Sequence, residues 1–342
     1  MEPKKLDILM IFKGEAFLKE FNNLSKKVKE KYPYINLYHI EPSPNYKEEI
    51  DKLKDIKFDI LSSLPLFNDI WTYILEKFPS IKWIHSLAAG IERIFKIENL
   101  MKNDEIIISN SRGAYSESLG EIGITAMMYF SYQIFNYVDG MQKKKWFTQF
   151  NHSLEGKTLL IIGYGNNGIC LAKKAKLAFN MKIIAVKKDL SSNFKGKEYT
   201  DEAYTLDNLP DKKIFESDYI YATLPETKET INIFDKNFFA KMNKDAVFIN
   251  IGRGKSVVED DIIEALEKNV FKGALLDVTC DEPLKKDSKL YNFSPAKLLL
   301  TNHTLGYTVC TVPTGFEFFY NNLEHYIQTG KPLTIIDKNK QY

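Results

Sequence analysis

The stretch KTLLIIGYGNNG, residues 157–168, runs from an unbroken apolar segment into three glycines, and its reading decides the rest of the chain. Residues 158–162 (TLLII) have the β-branched, uninterrupted character of a strand covered on both faces, as in a parallel sheet. Gly163, Gly165 and Gly168 then give the spacing GxGxxG. Each glycine answers a separate need: the first makes the turn, the second lets backbone approach a pyrophosphate, and the third lets helix and strand pack closely. A helix predicted over 167–179 presents its free N–H groups and positive dipole end to the phosphates. Three glycines alone also suit a turn that binds nothing. The strand before them, the helix after them and a second strand at 181–186 (MKIIAV) favour a dinucleotide site.

At 342 residues the chain exceeds a typical single core, so two domains are expected. With 44% hydrophobic and 27% charged residues it has the composition of a soluble globular protein. The 47 basic and 45 acidic side chains leave a net charge of +2, which points to neither a nucleic-acid nor a membrane partner. Cys170, Cys280 and Cys310 lie far apart with no CxxC or Cys/His metal spacing; they suit a reducing compartment, and no metal is expected. No apolar run approaches the length of a membrane span, and the start MEPKKLDILM has no leader-like segment. The expected location is the cytoplasm.

Taken in order, strands are predicted at 6–12, 35–40, 58–65, 81–90 and 105–110 with helices between them, which makes the first hundred or so residues a smaller parallel α/β unit. A single long, largely apolar helix is expected over 117–141, suited to a domain or subunit contact, followed by the charged connector KKKWFTQF with Lys143 to Lys145 solvated. Beyond the glycine turn, strands are predicted at 218–225, 246–252, 273–278 and 297–303. A helix over 258–269 carries Glu259, Asp260 and Asp261 in its first turn, as the dipole prefers. In an open α/β sheet, ligands lie beyond the carboxyl ends of the strands, so Thr223, Asn250, Arg253, Asp277 and His303 should converge. Residues 312–342 should form a helix and a tail returning to the first unit.

Three polar residues at these strand ends could carry chemistry. Arg253, between two glycines in NIGRGKS, offers a fixed cationic fork that can clamp a carboxylate. His303, in LLLTNHT, is the residue type that moves protons near neutral pH. Glu282, in DVTCDEPL, could hold that imidazole and raise its pKa, with Asp281 beside it as the competing carboxylate. GRGKS lacks the glycine spacing of a triphosphate-binding loop, because Ile249 stands where that glycine would be, and no GxSxG or HExxH pattern is present.

The chain resembles the D-isomer-specific 2-hydroxyacid dehydrogenase family, in KWIHSLAAG (82–90), SNSRGAYSESLGEIGITAMM (109–128), the glycine turn, LPETKET (224–230), FINIGRG (248–254), GALLDVTCDEPL (273–284) and TNHTLGY (301–307). The resemblance implies α/β architecture with two Rossmann-like or flavodoxin-like parallel-sheet domains. The dinucleotide-binding domain, residues 113–303, is inserted into a substrate domain made of 1–112 and 304–342. It implies hinge closure, a homodimer formed through the cofactor domain, and NADP or NAD as cofactor. It gives Arg253 the substrate carboxylate and carbonyl, His303 the acid/base role and Glu282 the orientation of His303, with backbone amides at Ala89 and Gly90 on the carboxylate's other side. Cofactor contacts are expected from Gly163, Tyr164, Gly165, Asn166, Asn167, Gly168, Lys187, Lys188, Leu224, Pro225, Thr230, Ile251, Asp277 and Gly306.

The chain departs from the family pattern at three places. Asn180 replaces a glycine before the second strand, where Asn also accepts the left-handed conformation. Leu305 replaces a small residue and is expected to narrow the site. No carboxylate ends the second strand; Lys187 and Lys188 stand there, with Ser191 and Ser192 as further donors, which favours NADP and the glyoxylate/hydroxypyruvate reductase branch. If instead Asp189 swings back to the ribose, NAD is favoured. D-lactate or phosphoglycerate-type dehydrogenases and an NAD(H)-sensing corepressor are the alternatives on the same scaffold. The chain lacks the long disordered tail expected of the corepressor.

Overall fold

The apolar runs become short parallel strands, the central ones buried on both faces, in a computed structural model that describes residues 5–64, 68–191 and 193–338. The chain forms two compact units, crossing from one to the other between Tyr115 and Ser116 and back between Thr308 and Val309. These crossings fall a few residues beyond the expected borders at 112/113 and 303/304. The helix Ser116–Ser131 packs on the helix Asn166–Phe179, and the amides of Thr304 and Leu305 hang on Asp277, so both segments belong to the second unit.

The first unit holds β1 (Leu6–Ile11), β2 (Ile35–Ile40), β3 (Ile60–Ser63), β4 (Trp83–Ser86) and β5 (Ile107–Asn110). Their order β2-β1-β3-β4-β5, all parallel, is the flavodoxin-like doubly wound arrangement. Every residue of β1, LDILMI, is buried, as a central strand with helices on both faces requires. The end of the chain completes this unit. In the helix Thr311–Thr329, Phe316, Phe319, Tyr320 and Leu323 enter the same cluster as Ile8, Met10 and Trp83. The tail then returns to β5, where Ile336 N donates to Ile108 O at 2.9 Å and Thr334 Oγ1 to Asn110 O at 2.7 Å. Residues 339–342 of the expected tail, and Pro65 of the third expected strand, lie outside the described residues.

The second unit holds β6 (Thr158–Ile162), β7 (Lys182–Val186), β8 (Glu202–Tyr204), β9 (Tyr219–Ala222), β10 (Val247–Asn250), β11 (Gly273–Leu276) and β12 (Leu298–Leu300). Its order, β12-β11-β10-β9-β6-β7-β8, is the Rossmann order extended by one strand, reversing direction at β6. The helix Asn166–Phe179 ends on Asn180 at φ 49°, ψ 35°, the left-handed cap expected of that substitution. The long helix expected over 117–141 is instead two, Ser116–Ser131 and Ile134–Gln142, broken at Gln133, whose φ is 48°. Side chains compensate at the break: Gln149 Nε2 donates to Tyr132 O at 3.2 Å and Gln133 Nε2 to Phe150 O at 3.0 Å. Among the described residues no helix is long and apolar enough to cross a membrane.

Candidate active site

The carboxyl ends of β9, β10, β11 and β12 are neighbours in the sheet, and backbone bonds stitch the loops that leave them. Asp277 N donates to Asn250 O at 3.0 Å, and His303 N to Asp277 O at 2.8 Å. His303 is held at φ 54°, a conformation uncommon for a non-glycine residue, so its surroundings define the position of its ring. Its Nδ1 lies 2.8 Å from Glu282 Oε2, while Glu282 Oε1 accepts from Thr279 N at 3.2 Å. Asp281 pairs with Lys285 at 2.9 Å instead. The hydrogen bond to Glu282 raises the His303 pKa above its ordinary value against burial and the Arg253 charge, which lower it. Burial pushes the Glu282 carboxyl up, but the His303 bond and charge, the Thr279 amide and the Arg253 charge bring it net below the usual carboxylate value.

Arg253 follows β10 with its Nη1 donating to Gly252 O at 2.7 Å. The flanking glycines are there for close approach. A Cβ on Gly252 would lie 2.7 Å from Leu224 N, and one on Gly254 only 1.9 Å from Thr279 O. Arg253 is therefore wedged between the loops after β9 and β11. Asn250 is buried, its amide donating to Arg253 O at 3.2 Å, so it supports the loop from beneath. Asp277 does the same for the histidine loop: its Oδ1 accepts from Thr301 Oγ1 at 2.8 Å and Thr304 N at 3.2 Å. Asp277 was expected as a cofactor contact; these bonds give it a supporting task that no sequence motif signals.

The glycine turn fits a pyrophosphate. Gly163 has φ 104°, and a Cβ there would lie 2.7 Å from Thr223 O, whereas one on Gly165 would meet nothing within 4 Å and so projects into open space. A Cβ on Gly168 would lie 2.9 Å from Gly163 O, which is the close packing of helix on turn. The first amides of the helix, at Asn166, Asn167 and Gly168, have no carbonyl behind them in the helix. Asn167 accepts from Ser116 Oγ at 2.7 Å and donates to Thr223 Oγ1 at 3.3 Å, and Asn166 Oδ1 lies 3.3 Å from Lys195 Nζ. Tyr164 is buried, its hydroxyl on Gly196 O at 2.9 Å, so its side chain belongs to the core and only its backbone lies in the turn.

A family model, D-isomer specific 2-hydroxyacid dehydrogenase, NAD binding domain, matches residues 124–304. The chain belongs to this family. It is an NAD(P)-dependent D-2-hydroxyacid dehydrogenase of the same α/β architecture. A glyoxylate/hydroxypyruvate reductase B of Enterobacter sp. (strain 638) is 28% identical over 279 residues, 80% of this chain and 82% of that one. The protein of that name from Escherichia coli (strain K12 / DH10B) is 30% identical over 230 residues, 65% of this chain and 68% of that one. The solved structure of a D-isomer specific 2-hydroxyacid dehydrogenase family protein from Aeromonas salmonicida superposes with a TM-score of 0.78 at 24% identity, covering 98% of this chain and all of that one.

Other residues expected at the dehydrogenase site are placed as follows. Lys187 Nζ donates to Tyr164 O at 3.2 Å, which ties the end of β7 to the glycine turn, and Lys188 pairs with Glu229 at 3.2 Å. Asp189 and Ser191 are exposed; Ser192 lies outside the described residues. Thr230 Oγ1 donates to Pro225 O at 2.6 Å and closes the turn that follows Leu224. Ile251 is buried, its N–H on Ala222 O at 3.0 Å. Gly306 lies in the loop beyond His303, and a Cβ there would stand 3.5 Å from Leu119. Leu305, expected to narrow the site, has its side chain packed against the core of this unit. Ala89 and Gly90 follow β4 in the first unit.

Proposed function

We propose that the chain is a glyoxylate/hydroxypyruvate-type reductase, converting a small 2-keto acid to its D-2-hydroxy acid with NADPH. The reading is carried by the 2.8 Å pairing of His303 Nδ1 with Glu282 at the carboxyl end of the sheet, within the electrostatic reach of Arg253. The nicotinamide, when bound, supplies the hydride for C2. Glu282 on Nδ1 fixes the ring so that Nε2–H is the proton donor to the forming alkoxide. Arg253 holds the carboxylate and polarises the carbonyl, and the amides of Ala89 and Gly90 take the carboxylate's other oxygen. The glycine turn and the helix start at Asn166 hold the pyrophosphate, and Lys187 with Lys188 receives the adenosine 2′-phosphate.

The test follows NADPH absorbance on addition of glyoxylate, hydroxypyruvate and pyruvate. Arg253→Ala should lower kcat/KM about 10²- to 10³-fold, because it removes both orientation and stabilisation of the oxyanion. An unchanged kcat/KM would overturn the assignment.

The same reading makes the enzyme a cytoplasmic homodimer. Its three free cysteines suit a reducing compartment. Trp146 and Phe150 of the second unit are 102% and 92% exposed, and Met141, Val138 and Tyr137 of the helix Ile134–Gln142 are exposed too, apolar side chains of the kind that mark a protein interface. Trp146→Glu should lower the sedimentation mass toward one chain; a wild type that already sediments as a monomer would end this part of the reading.

A further inference from the structure

The turn after β4, residues 87–90, is held through three of its carbonyls and two of its amides. Leu87 O accepts from Tyr115 Oη at 2.6 Å. Ala88 O accepts from Ser86 Oγ at 3.0 Å and from Ser111 N at 3.3 Å. Ala89 O accepts from Asn110 Nδ2 at 2.5 Å. The first two amides are also satisfied, Leu87 N on Ser63 O at 3.0 Å and Ala88 N on Ser86 Oγ at 3.2 Å. The amides of Ala89 and Gly90 have no partner among the described residues. With every carbonyl from Leu87 to Ala89 bonded to the unit's own donors, the two adjacent unpaired N–H groups are what the turn has left to offer, and they suit an anion.

Two further observations show that this arrangement is held against opposing costs. Asn110 is 3% exposed, and while its Nδ2 holds Ala89, its Oδ1 is buried without a hydrogen-bond partner among the described residues. A buried acceptor left unpaired opposes folding, so the amide is oriented for the sake of the turn and not for its own satisfaction. Tyr115, the last residue before the chain leaves this unit, reaches Leu87 past Gly315 of the helix Thr311–Thr329. A Cβ on Gly315 would lie 2.7 Å from the Tyr115 hydroxyl, so glycine at that position leaves the room the hydroxyl needs.

We infer that Tyr115 and Asn110 are positioning residues for the substrate carboxylate, fixing the turn by its carbonyls so that the amides of Ala89 and Gly90 stand ready together. This rests on the reading of the chain as a 2-keto acid reductase. Neither side chain touches the substrate; both act through the main chain. Losing the Tyr115 bond loosens the carboxylate site without altering proton or hydride transfer, so binding suffers and turnover does not.

Tyr115→Phe should raise KM for glyoxylate and hydroxypyruvate about five- to tenfold, the worth of one hydrogen bond, with kcat and the NADPH dissociation constant little changed and Tm lowered by a few degrees, because the carbonyl of buried Leu87 loses this partner. Gly315→Ala, which pushes its methyl into the hydroxyl, should raise KM similarly. In the Tyr115→Phe background, where no hydroxyl remains to be displaced, it should add almost nothing. An unchanged KM in Tyr115→Phe, or a Gly315→Ala effect that persists in full in that background, would overturn the inference. Failure of the functional reading looks different: the wild type would then consume no NADPH with any keto acid. In that event calorimetric binding of oxalate to wild type and Tyr115→Phe decides, a weakening of about fivefold supporting the positioning role and equal affinities refuting it.

Discussion

At the scale of single residues, the pairing of His303 with Glu282 fixes a pH dependence. On the proposed reading reduction needs the imidazolium, and the Glu282 bond raises the His303 pKa above 6.5 while burial and Arg253 pull it down. In Glu282→Gln the two larger raising causes vanish and only the smaller Asp277 charge remains against burial and Arg253, so the alkaline limb of kcat/KM for reduction should move to lower pH. A limb that stays where it was would show that another group sets it. The lysines after β7 make a second residue-scale case. Lys188 is partly neutralised by Glu229, whereas Lys187, tethered to the carbonyl of Tyr164, already sits beside the glycine turn. Partly exposed charged contacts are worth on the order of 1 kcal/mol each, so NADPH should be preferred over NADH roughly tenfold or more, and Lys187→Asp should reverse the order. Comparing kcat/KM for both cofactors at fixed ionic strength checks it; a wild type favouring NADH would sink the argument from these lysines. Arg253, Glu282 and His303 stand out in the sequence because each lies in a short motif after a strand, and the structure pairs His303 with Glu282. The supporting bonds of Asp277, Asn250 and Thr301 were not legible there, because they depend on which strands become neighbours.

At the scale of elements, the glycines separate into those that serve the fold and those that face a ligand. The Gly254 Cβ position is 1.9 Å from a main-chain oxygen of the loop that carries Glu282, so Gly254→Ala must displace that loop. Overpacking of this kind costs about 1–3 kcal/mol or more, and both Tm and activity should fall together. Gly165, at φ −96° with open space before its Cβ, tolerates alanine in the fold. Gly165→Ala should keep its Tm within about a degree and weaken NADPH binding about ten- to a hundredfold, by intruding where backbone must approach the pyrophosphate. Melting curves with and without NADPH distinguish the two; a Gly165→Ala protein that binds as tightly as wild type would remove this turn from the cofactor site. The GxGxxG spacing already assigns the turn to Gly163, the close approach of backbone to Gly165 and the packing of helix on strand to Gly168. Two elements escaped the sequence altogether. The three-residue edge strand β8, EAY, has no apolar run to signal it and exists through its pairing with β7. The break at Gln133 lies inside continuous apolar periodicity, and it depends on the Gln149 side chain and the Phe150 carbonyl, which local pattern cannot bring near.

At the scale of the whole molecule, the two units should respond to acid with opposite sign, through one histidine in each. In the first unit His85 is fully buried, bonded to Ser109 Oγ at 2.8 Å and packed on Phe319, and burial alone lowers its pKa to about 3. The unfolded chain takes up that proton near pH 6.5 and the folded unit does not, so the stability present above 6.5 falls continuously as pH drops toward 3. The slope is about 1.4 kcal/mol per pH unit, and at pH 5 the loss is about 2 kcal/mol, before most carboxylates protonate. In the second unit the His303 pKa is raised, so its contribution is fully present below 6.5 and disappears as pH rises through the folded value. Going from pH 7 to pH 5 should therefore weaken the first unit and support the second. In Trp146→Phe, tryptophan fluorescence reads the first unit selectively, because Trp71 and Trp83, both buried in it, are then the remaining tryptophans. Its urea midpoint should drop by about 1 M between pH 7 and pH 5, given a typical slope of about 2 kcal/mol per M. Hydrogen exchange of peptides from β6 and β10 should over the same interval show undiminished protection after correction for the intrinsic pH dependence. A fluorescence midpoint that does not move, or one that falls in step with the loss of protection in β6, would mean that His85 does not govern the acid response and that the two units do not unfold separately.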